Sequence, residues 1–346
     1  MFEKIRSLIF KFDPETAHDL AIKALKTNLV PLKVKNYDCL KVNFLEREIP
    51  NPIGIAAGFD KNAEVYNSLF KLGFGFVEVG TVTPEPQYGN PKPRVFRLEE
   101  DKALINRLGF NNVGSETAAE NINKHYPKGL LGINIGPNKD TKNRIEDYLK
   151  CFRVLNKLGD YITINISSPN TENLRSFHNP DELKELLIAL NEEKNQISST
   201  INIAVKIAPD IELKDLDTIG NILLNNKIKL AIISNTSDGT RENLKNINKF
   251  EKGGLSGKPI EKKTNLLINE FYKIFNNKIK IIGVGGVDTG KSAYNKLISG
   301  ASYIQLYTGM VYQGPNIVNN ISEELNDILV SDGIKNIEEI VGSKWL

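Results

Sequence analysis

The side chains in this 346-residue chain best placed to do chemistry are small amides, hydroxyls and two lysines. Tyr161 to Thr171 reads YITINISSPNT, with Ile162, Ile164 and Ile166 alternating with Thr163, Asn165 and Ser167 at the period of a strand. Pro169 disfavours helix at Ser168 and turns the chain into a loop. Asn165, Ser167, Ser168, Asn170 and Thr171 thus crowd hydrogen-bonding groups around one strand end, and in a parallel barrel that end carries the chemistry. Taken alone, the stretch is equally a polar loop after a core strand.

Other strand ends add to it. Lys61 closes AAGFDK at 56–61, and Lys206 sits inside the apolar VKI at 205–207. A cation inside such a strand is costly unless it is paired. Lys206 therefore either bridges an acid such as Asp210 or stabilises negative charge on a bound ring. Gly285, Gly286 and Gly309 follow the last two strands, where barrels commonly bind phosphate through backbone N–H groups. GGLSG at 253–257 offers a second flexible backbone segment. Histidine and clustered carboxylates are missing from these ends, so no metal site is expected. Cys39 and Cys151 lie far apart and suggest neither a disulfide framework nor an iron–sulfur site.

The elements that must position these residues recur as strand-then-helix units after Pro50. Eight strand candidates are Ile53–Ala57, Phe76–Val82, Leu130–Ile135, Tyr161–Ile166, Ile203–Ile207, Leu230–Ser234, Ile281–Val284 and Tyr303–Tyr307. Helical stretches such as Asn62–Leu72, Ile145–Leu158, Pro180–Gln196 and Leu213–Leu224 lie between them. Most strand candidates are continuous apolar runs, as strands buried on both faces require. Eight such units predict a closed (β/α)8 TIM barrel over residues 37–346. Pro84–Asn112 is too long for an ordinary loop and reads as an insertion shaping the site. A short ribbon over Asp38–Glu48 precedes the barrel.

Residues 1–36 read as an N-terminal helical extension suited to contact with a membrane surface. Phe2, Ile5, Leu8, Ile9 and Phe12 recur at helical spacing. Asp13-Pro14 opens a second helix, whose apolar face would be Ala17, Leu20, Ala21, Ala24 and Leu25 and which Pro31 closes. Residues 1–35 hold seven Lys and Arg against four acids, an excess equal to the whole chain's +3. The body is therefore neutral, which argues against a nucleic-acid groove. The basic amphipathic first helix suits an anionic membrane surface. No run approaches the roughly 20 apolar residues that span a bilayer.

Nine motifs in order carry a resemblance over nearly the whole chain, to about residue 315: AAGFDK at 56–61, NRLGFNN at 106–112, NIGPNKD at 134–140, NISSPNT at 165–171, AVKIAPD at 204–210, SNT at 234–236, GGLSG at 253–257, IGVGG at 282–286 and YTG at 307–309. Together they resemble the dihydroorotate dehydrogenase family, and more narrowly its class 2, quinone-dependent, membrane-associated form. The resemblance implies FMN as cofactor, oxidation of dihydroorotate to orotate in pyrimidine synthesis, and a membrane quinone as electron acceptor. It implies FMN binding by Ala57, Gly58, Lys61, Thr81, Asn134, Asn165, Lys206, Ser234, Gly257, Gly286, Tyr307 and Thr308. Substrate would be held by Lys61, by Asn106, Arg107, Leu108, Gly109 and Phe110, and by Asn165, Asn170, Asn235 and Thr236. Ser168 occupies the base position, with Thr171 and Phe110 where a proton relay and its apolar wall belong.

Two features carry the class. Serine stands where soluble class 1 members have cysteine, and the amphipathic helical pair is present. The reading implies a monomer, peripheral on the cytoplasmic face of a bacterial cell membrane, with no nucleic-acid partner. Ser234 departs from a common threonine but keeps the hydroxyl. His178 is expected on a lid surface rather than as a base, and His18 and His125 have no partner by spacing. Alternatives are another FMN barrel reductase, acting on dihydropyrimidine or dihydrouridine, and an inactive flavin barrel serving as a membrane-attached scaffold. Against them stand the neutral body and the presence of both lysines with the serine.

Overall fold

A computed structural model describes residues 2–28, 32–239 and 241–345. Eight parallel strands close into one barrel. We number them β1 (Ile53–Ile55), β2 (Phe76–Val82), β3 (Leu130–Ile135), β4 (Tyr161–Asn165), β5 (Asn202–Ile207), β6 (Leu230–Ile233), β7 (Lys280–Val284) and β8 (Tyr303–Leu306). Each of the eight expected strands is present, several one or two residues shorter at the C-terminal end, where the chain turns into the site loops. Helices pack outside, including Pro180–Gln196 at its expected bounds, opened by Asn179, which accepts the Asp181 N–H at 3.0 Å. The expected helix at Asn62–Leu72 is shorter, Tyr66–Lys71.

The barrel's lower end is filled with aromatic rings. The expected ribbon forms an antiparallel hairpin, Val42–Phe44 with Arg47–Ile49. It inserts Phe44, whose ring stacks on Tyr303 at 4.2 Å and Tyr161 at 5.4 Å and tilts against Phe76 at 5.1 Å. Such pairs contribute about 1 kcal/mol each beyond the area they bury. The strands give way to these rings: a Cβ on Gly132 would lie 2.2 Å from the Tyr161 ring. Gly132→Val would expel the ring and open the barrel floor.

Within the insertion Pro84–Asn112, Val95–Leu98 and Ala103–Asn106 pair antiparallel. One expectation needs correction: GGLSG is not a free segment, since Gly254–Gly257 is the third strand of that small sheet. Its sequence hides this because Gly254 is pressed against Thr236, where a Cβ would lie 1.9 Å from Oγ1. The sheet has its own small core of Leu98, Ile105, Leu244, Leu255 and Ile260.

The N-terminal residues form α1 (Phe2–Ile9) and α2 (Pro14–Lys26). Asp13 caps α2, accepting the N–H groups of Glu15 at 3.0 Å and Thr16 at 3.1 Å. Pro31, expected to close α2, lies outside the described residues. The face of α2 that meets the barrel is Glu15, His18, Ile22 and Leu25, while Leu20, Ala21 and Ala24 are exposed. The expected apolar face is thus turned largely outward, because polar contacts fix the helix's rotation. Along the first segment, Ile5, Leu8 and Phe12 are exposed, whereas Phe2 packs on Gly314. No helix among the described residues is long and apolar enough to cross a membrane.

Candidate active site

The C-terminal ends of the strands surround one pocket, roofed by the small sheet and edged by the N-terminal helices. Its floor is built from β2 to β5. Thr81 Oγ1 donates to Asn134 Oδ1 at 2.6 Å, and Asn165 Nδ2 donates to Thr81 Oγ1 at 3.0 Å and to Asn134 Oδ1 at 3.1 Å. Lys206 pairs with Asn165 in the β4–β5 register and is 4 % exposed. Among the described residues its side-chain amine has neither hydrogen bond nor ion pair. The alternative of a bridge to Asp210 is not realised, since Asp210 is taken by Arg175 at 3.1 Å and by Lys263. Burial lowers the Lys206 pKa from its ordinary value, opposed by the charge of Glu78.

One side of the pocket is a cluster of amides. Asn170 Nδ2 donates to Asn106 Oδ1 at 3.3 Å, and Asn235 Nδ2 donates to Ser167 Oγ at 2.9 Å. Leu108, Gly109, Phe110 and Thr236 share that wall. Ser168 is 5 % exposed, and its Oγ accepts the Asn170 N–H at 3.2 Å. No carboxylate or imidazole among the described residues bonds to it. Lys61 lies at the edge, its Nζ 3.4 Å from His18 Nε2. Burial lowers the Lys61 pKa to about 8 against the pull of Glu15 and Asp19. His18, edge-on to Phe59 at 5.2 Å, is lowered to about 3 by burial and the Lys61 charge.

The opposite end suits an anion. Gly257, Gly285 and Gly286 have φ of 96°, 109° and 80°, a region glycine occupies without strain. A Cβ on Gly286 would lie 2.4 Å from Glu261 Cβ, and one on Gly257 2.4 Å from the Lys102 carbonyl oxygen. Only glycine fits, and the loops leave backbone N–H groups free to approach a phosphate. Ser256 and Thr308 bond at 2.8 Å beside them, and burial pushes Tyr307 up to about 12.

Most residues singled out from sequence line this pocket: Ala57, Gly58, Lys61, Thr81, Ser234 and Thr308 do, together with the amide wall. Three do not. Asn134 lies beneath the floor, fully buried. Thr171 is buried behind the Ser168 loop. Arg107 turns away, bonding Glu251 at 2.8 Å and the Pro93 carbonyl at 2.9 Å and covering the Phe96 ring at 4.6 Å. His178 is half-buried rather than on an open surface: Nδ1 bonds the Arg175 carbonyl at 3.0 Å, Nε2 accepts the Ala208 N–H at 3.2 Å, and burial lowers its pKa to about 4. Sequence reasoning missed His18, Glu15, Arg94 and Glu78. The first three meet the site only after distant segments are packed together, whereas Glu78, a lone charge in an apolar strand, carried the same local signal as Lys206.

The fold and site define a (β/α)8-barrel enzyme whose mouth is lined by amides, two lysines and a glycine cradle. The sequence model of the family described as Dihydroorotate dehydrogenase matches residues 39–329, and the chain belongs to that family. It is 44% identical over 344 residues to Dihydroorotate dehydrogenase (quinone) of Brucella anthropi, covering 97% of this chain and 94% of the relative. The corresponding Nitrosomonas europaea protein is 42% identical over 329 residues, 92% and 95% of the two chains. Among solved structures, DHODH of Eimeria tenella in complex with ferulenol superposes with a TM-score of 0.92 at 36% identity, covering 96% of each chain.

Proposed function

We infer that the chain oxidises (S)-dihydroorotate to orotate and passes the electrons to a quinone, a step of pyrimidine synthesis, with FMN as the bound cofactor. The observation that carries the reading is the convergence of an unpaired buried lysine, a cluster of amides, Ser168 and a glycine cradle on one barrel mouth. The cradle fits a phosphate, and Lys206 fits a ring that acquires negative charge on reduction. FMN, when bound, would take a hydride from the substrate ring and hand the electrons on to the quinone.

The chain's own residues do the rest. Gly257, Gly286 and Thr308 hold the phosphate, Ala57, Gly58, Ser234 and Tyr307 enclose the cofactor, and Thr81, Asn165 and Lys206 address its ring, with Asn134 holding Thr81 and Asn165 from beneath. Asn106, Asn170, Asn235 and Thr236 match the amides of the substrate ring as donors and acceptors. Lys61 meets its carboxylate. Ser168 removes a ring-carbon proton and must pass its own proton on, because a hydroxyl is a weak base. Thr171 is the relay, with Phe110 as its apolar wall. Arg107, engaged with Glu251, acts on the substrate only through the backbone beside Leu108.

Residues 1–36 form the quinone-access extension, seated on the barrel by Glu15 and Arg94. Exposed Ile5, Leu8, Phe12 and Leu20 with nearby lysines suit peripheral attachment to an anionic membrane. Anaerobic addition of dihydroorotate to the purified yellow protein should bleach its flavin absorbance, and quinone should restore it. A protein that binds no flavin, or whose flavin stays oxidised, overturns the reading.

A further inference from the structure

Glu78 is the only charged residue of β2, and no step above uses it. It is fully buried inside the barrel and forms no ion pair among the described residues. Its carboxylate accepts three hydrogen bonds, from Asn134 Nδ2 at 2.8 Å, the Tyr161 hydroxyl at 2.9 Å and Gln305 Nε2 at 3.0 Å. It thus separates the aromatic plug below from the polar floor above.

A carboxylate accepts and cannot donate. Asn134 must therefore point its NH2 down at Glu78 and its Oδ1 up. That oxygen takes the Thr81 hydroxyl at 2.6 Å and Asn165 Nδ2 at 3.1 Å. With its NH2 committed there, Asn165 directs Oδ1 to the Ser167 hydroxyl at 2.9 Å and Asn235 Nδ2 at 3.4 Å. The orientation of each amide follows from the one beneath it, and the column starts from a single acceptor-only group. Glutamine in its place could donate as well as accept, and the column would lose its fixed sense. Glu78 is also the negative charge that opposes the desolvation of Lys206.

We propose that Glu78 is a positioning residue of the redox site: through Asn134 it fixes which atoms of Thr81 and Asn165 the cofactor meets, and it supplies the buried counter-charge to Lys206. The proposal rests on the flavin reading above. It goes beyond a packing role, which would move stability but neither the flavin's potential nor its affinity.

The test compares wild type, Glu78→Gln and Glu78→Asp holoproteins by dye-equilibrated potentiometry and by FMN titration of the apoproteins. Glu78→Gln leaves the Lys206 charge unopposed, so the equilibrium should move about tenfold toward reduced flavin, roughly 30 mV upward for a two-electron couple. Its FMN affinity should fall about tenfold as Asn134 loses its fixed orientation. Glu78→Asp keeps the charge but falls short of Asn134, so affinity should fall while the redox equilibrium stays within threefold of wild type. Glu78→Gln with either quantity within twofold of wild type overturns the proposal. Should that variant not fold, FMN affinity within twofold of wild type in Glu78→Asp overturns it. Wild-type flavin that dihydroorotate does not bleach defeats the functional reading itself, whereas bleaching in wild type with unaltered variants defeats only the role of Glu78.

Discussion

Glu15→Ala should release the N-terminal helices from the pocket edge. Glu15 accepts Arg94 Nη2 at 2.6 Å and Nε at 3.1 Å, with the two side chains only 11% and 7% exposed. Burial alone would raise the Glu15 pKa, but Arg94 and Lys92 hold it below its ordinary value. Arg94 cannot follow the helix, because it also bonds the carbonyls of Tyr88 and Asn90. Removing Glu15 thus strands a buried guanidinium, a loss of about 3–5 kcal/mol for a pair of this kind. Taking the lower figure, because the helices can relax and admit water, the undocked population should rise about a hundredfold. Amide exchange over residues 14–26 should accelerate accordingly, and quinone turnover should fall. Flavin reduction by dihydroorotate at pH 7 should change less than threefold, since Glu15 does not line the pocket. Arg94→Ala in the Glu15→Ala background should restore part of the protection by removing the stranded charge. Exchange in Glu15→Ala within threefold of wild type would refute the reasoning.

Ser168→Ala should slow flavin reduction in a single turnover by roughly a hundredfold or more, the scale of general-base loss, with flavin content intact; an unchanged rate removes Ser168 as base. Lys61 has its proton affinity lowered by burial, so it is cationic below and neutral above about pH 8. KM for dihydroorotate should therefore rise about tenfold per pH unit beyond that point, and Lys61→Arg should keep it level; a flat wild-type profile to pH 10 contradicts this. Replacing exposed Ile5, Leu8 and Phe12 by Ser should weaken binding to anionic vesicles at least tenfold, since each buried apolar side chain contributes about 1.5–3 kcal/mol. Equal vesicle binding would place the membrane contact elsewhere.

The barrel was legible because its strands are buried on both faces and so appear as apolar runs bounded by glycine, proline and small polar residues. The loops after them kept their chemistry in contiguous motifs, which is why Asn165 to Asn170 and Asn235-Thr236 could be found from sequence. The small sheet was not legible: Gly254 to Gly257 has no strand-forming side chains, and its strand exists because Ala103 to Asn106 offers an edge. The rotation of α2 was hidden for a related reason. Alanines and Leu20 suggested an apolar stripe, but Glu15 and His18 decide the docked face through Arg94 and Lys61, far away in the chain. Arg107 and His178 were misplaced by motif proximity, which fixes where a backbone runs but not where a long side chain points.

Glu78 explains how one barrel interior serves two incompatible needs. Below it, Phe44, Phe76, Tyr161 and Tyr303 give the dry packing that holds the strands in register. Above it, Thr81, Asn134 and Asn165 must be polar, and a buried polar group left without a partner costs about 1–3 kcal/mol. The column avoids that loss by bonding each group to the next, down to a carboxylate whose other oxygen takes Tyr161 and Gln305. The boundary between plug and floor is therefore itself hydrogen-bonded, and no apolar layer needs to be breached to reach it. Lys206 is the exception, a buried cation whose nearest compensation is a charge it does not touch. A buried cation without a protein partner favours whatever brings negative charge to the pocket floor, and favours it more as that charge increases. On the flavin reading proposed above, this one position would hold the reduced cofactor more strongly than the oxidised one, with Glu78 setting how large the difference is.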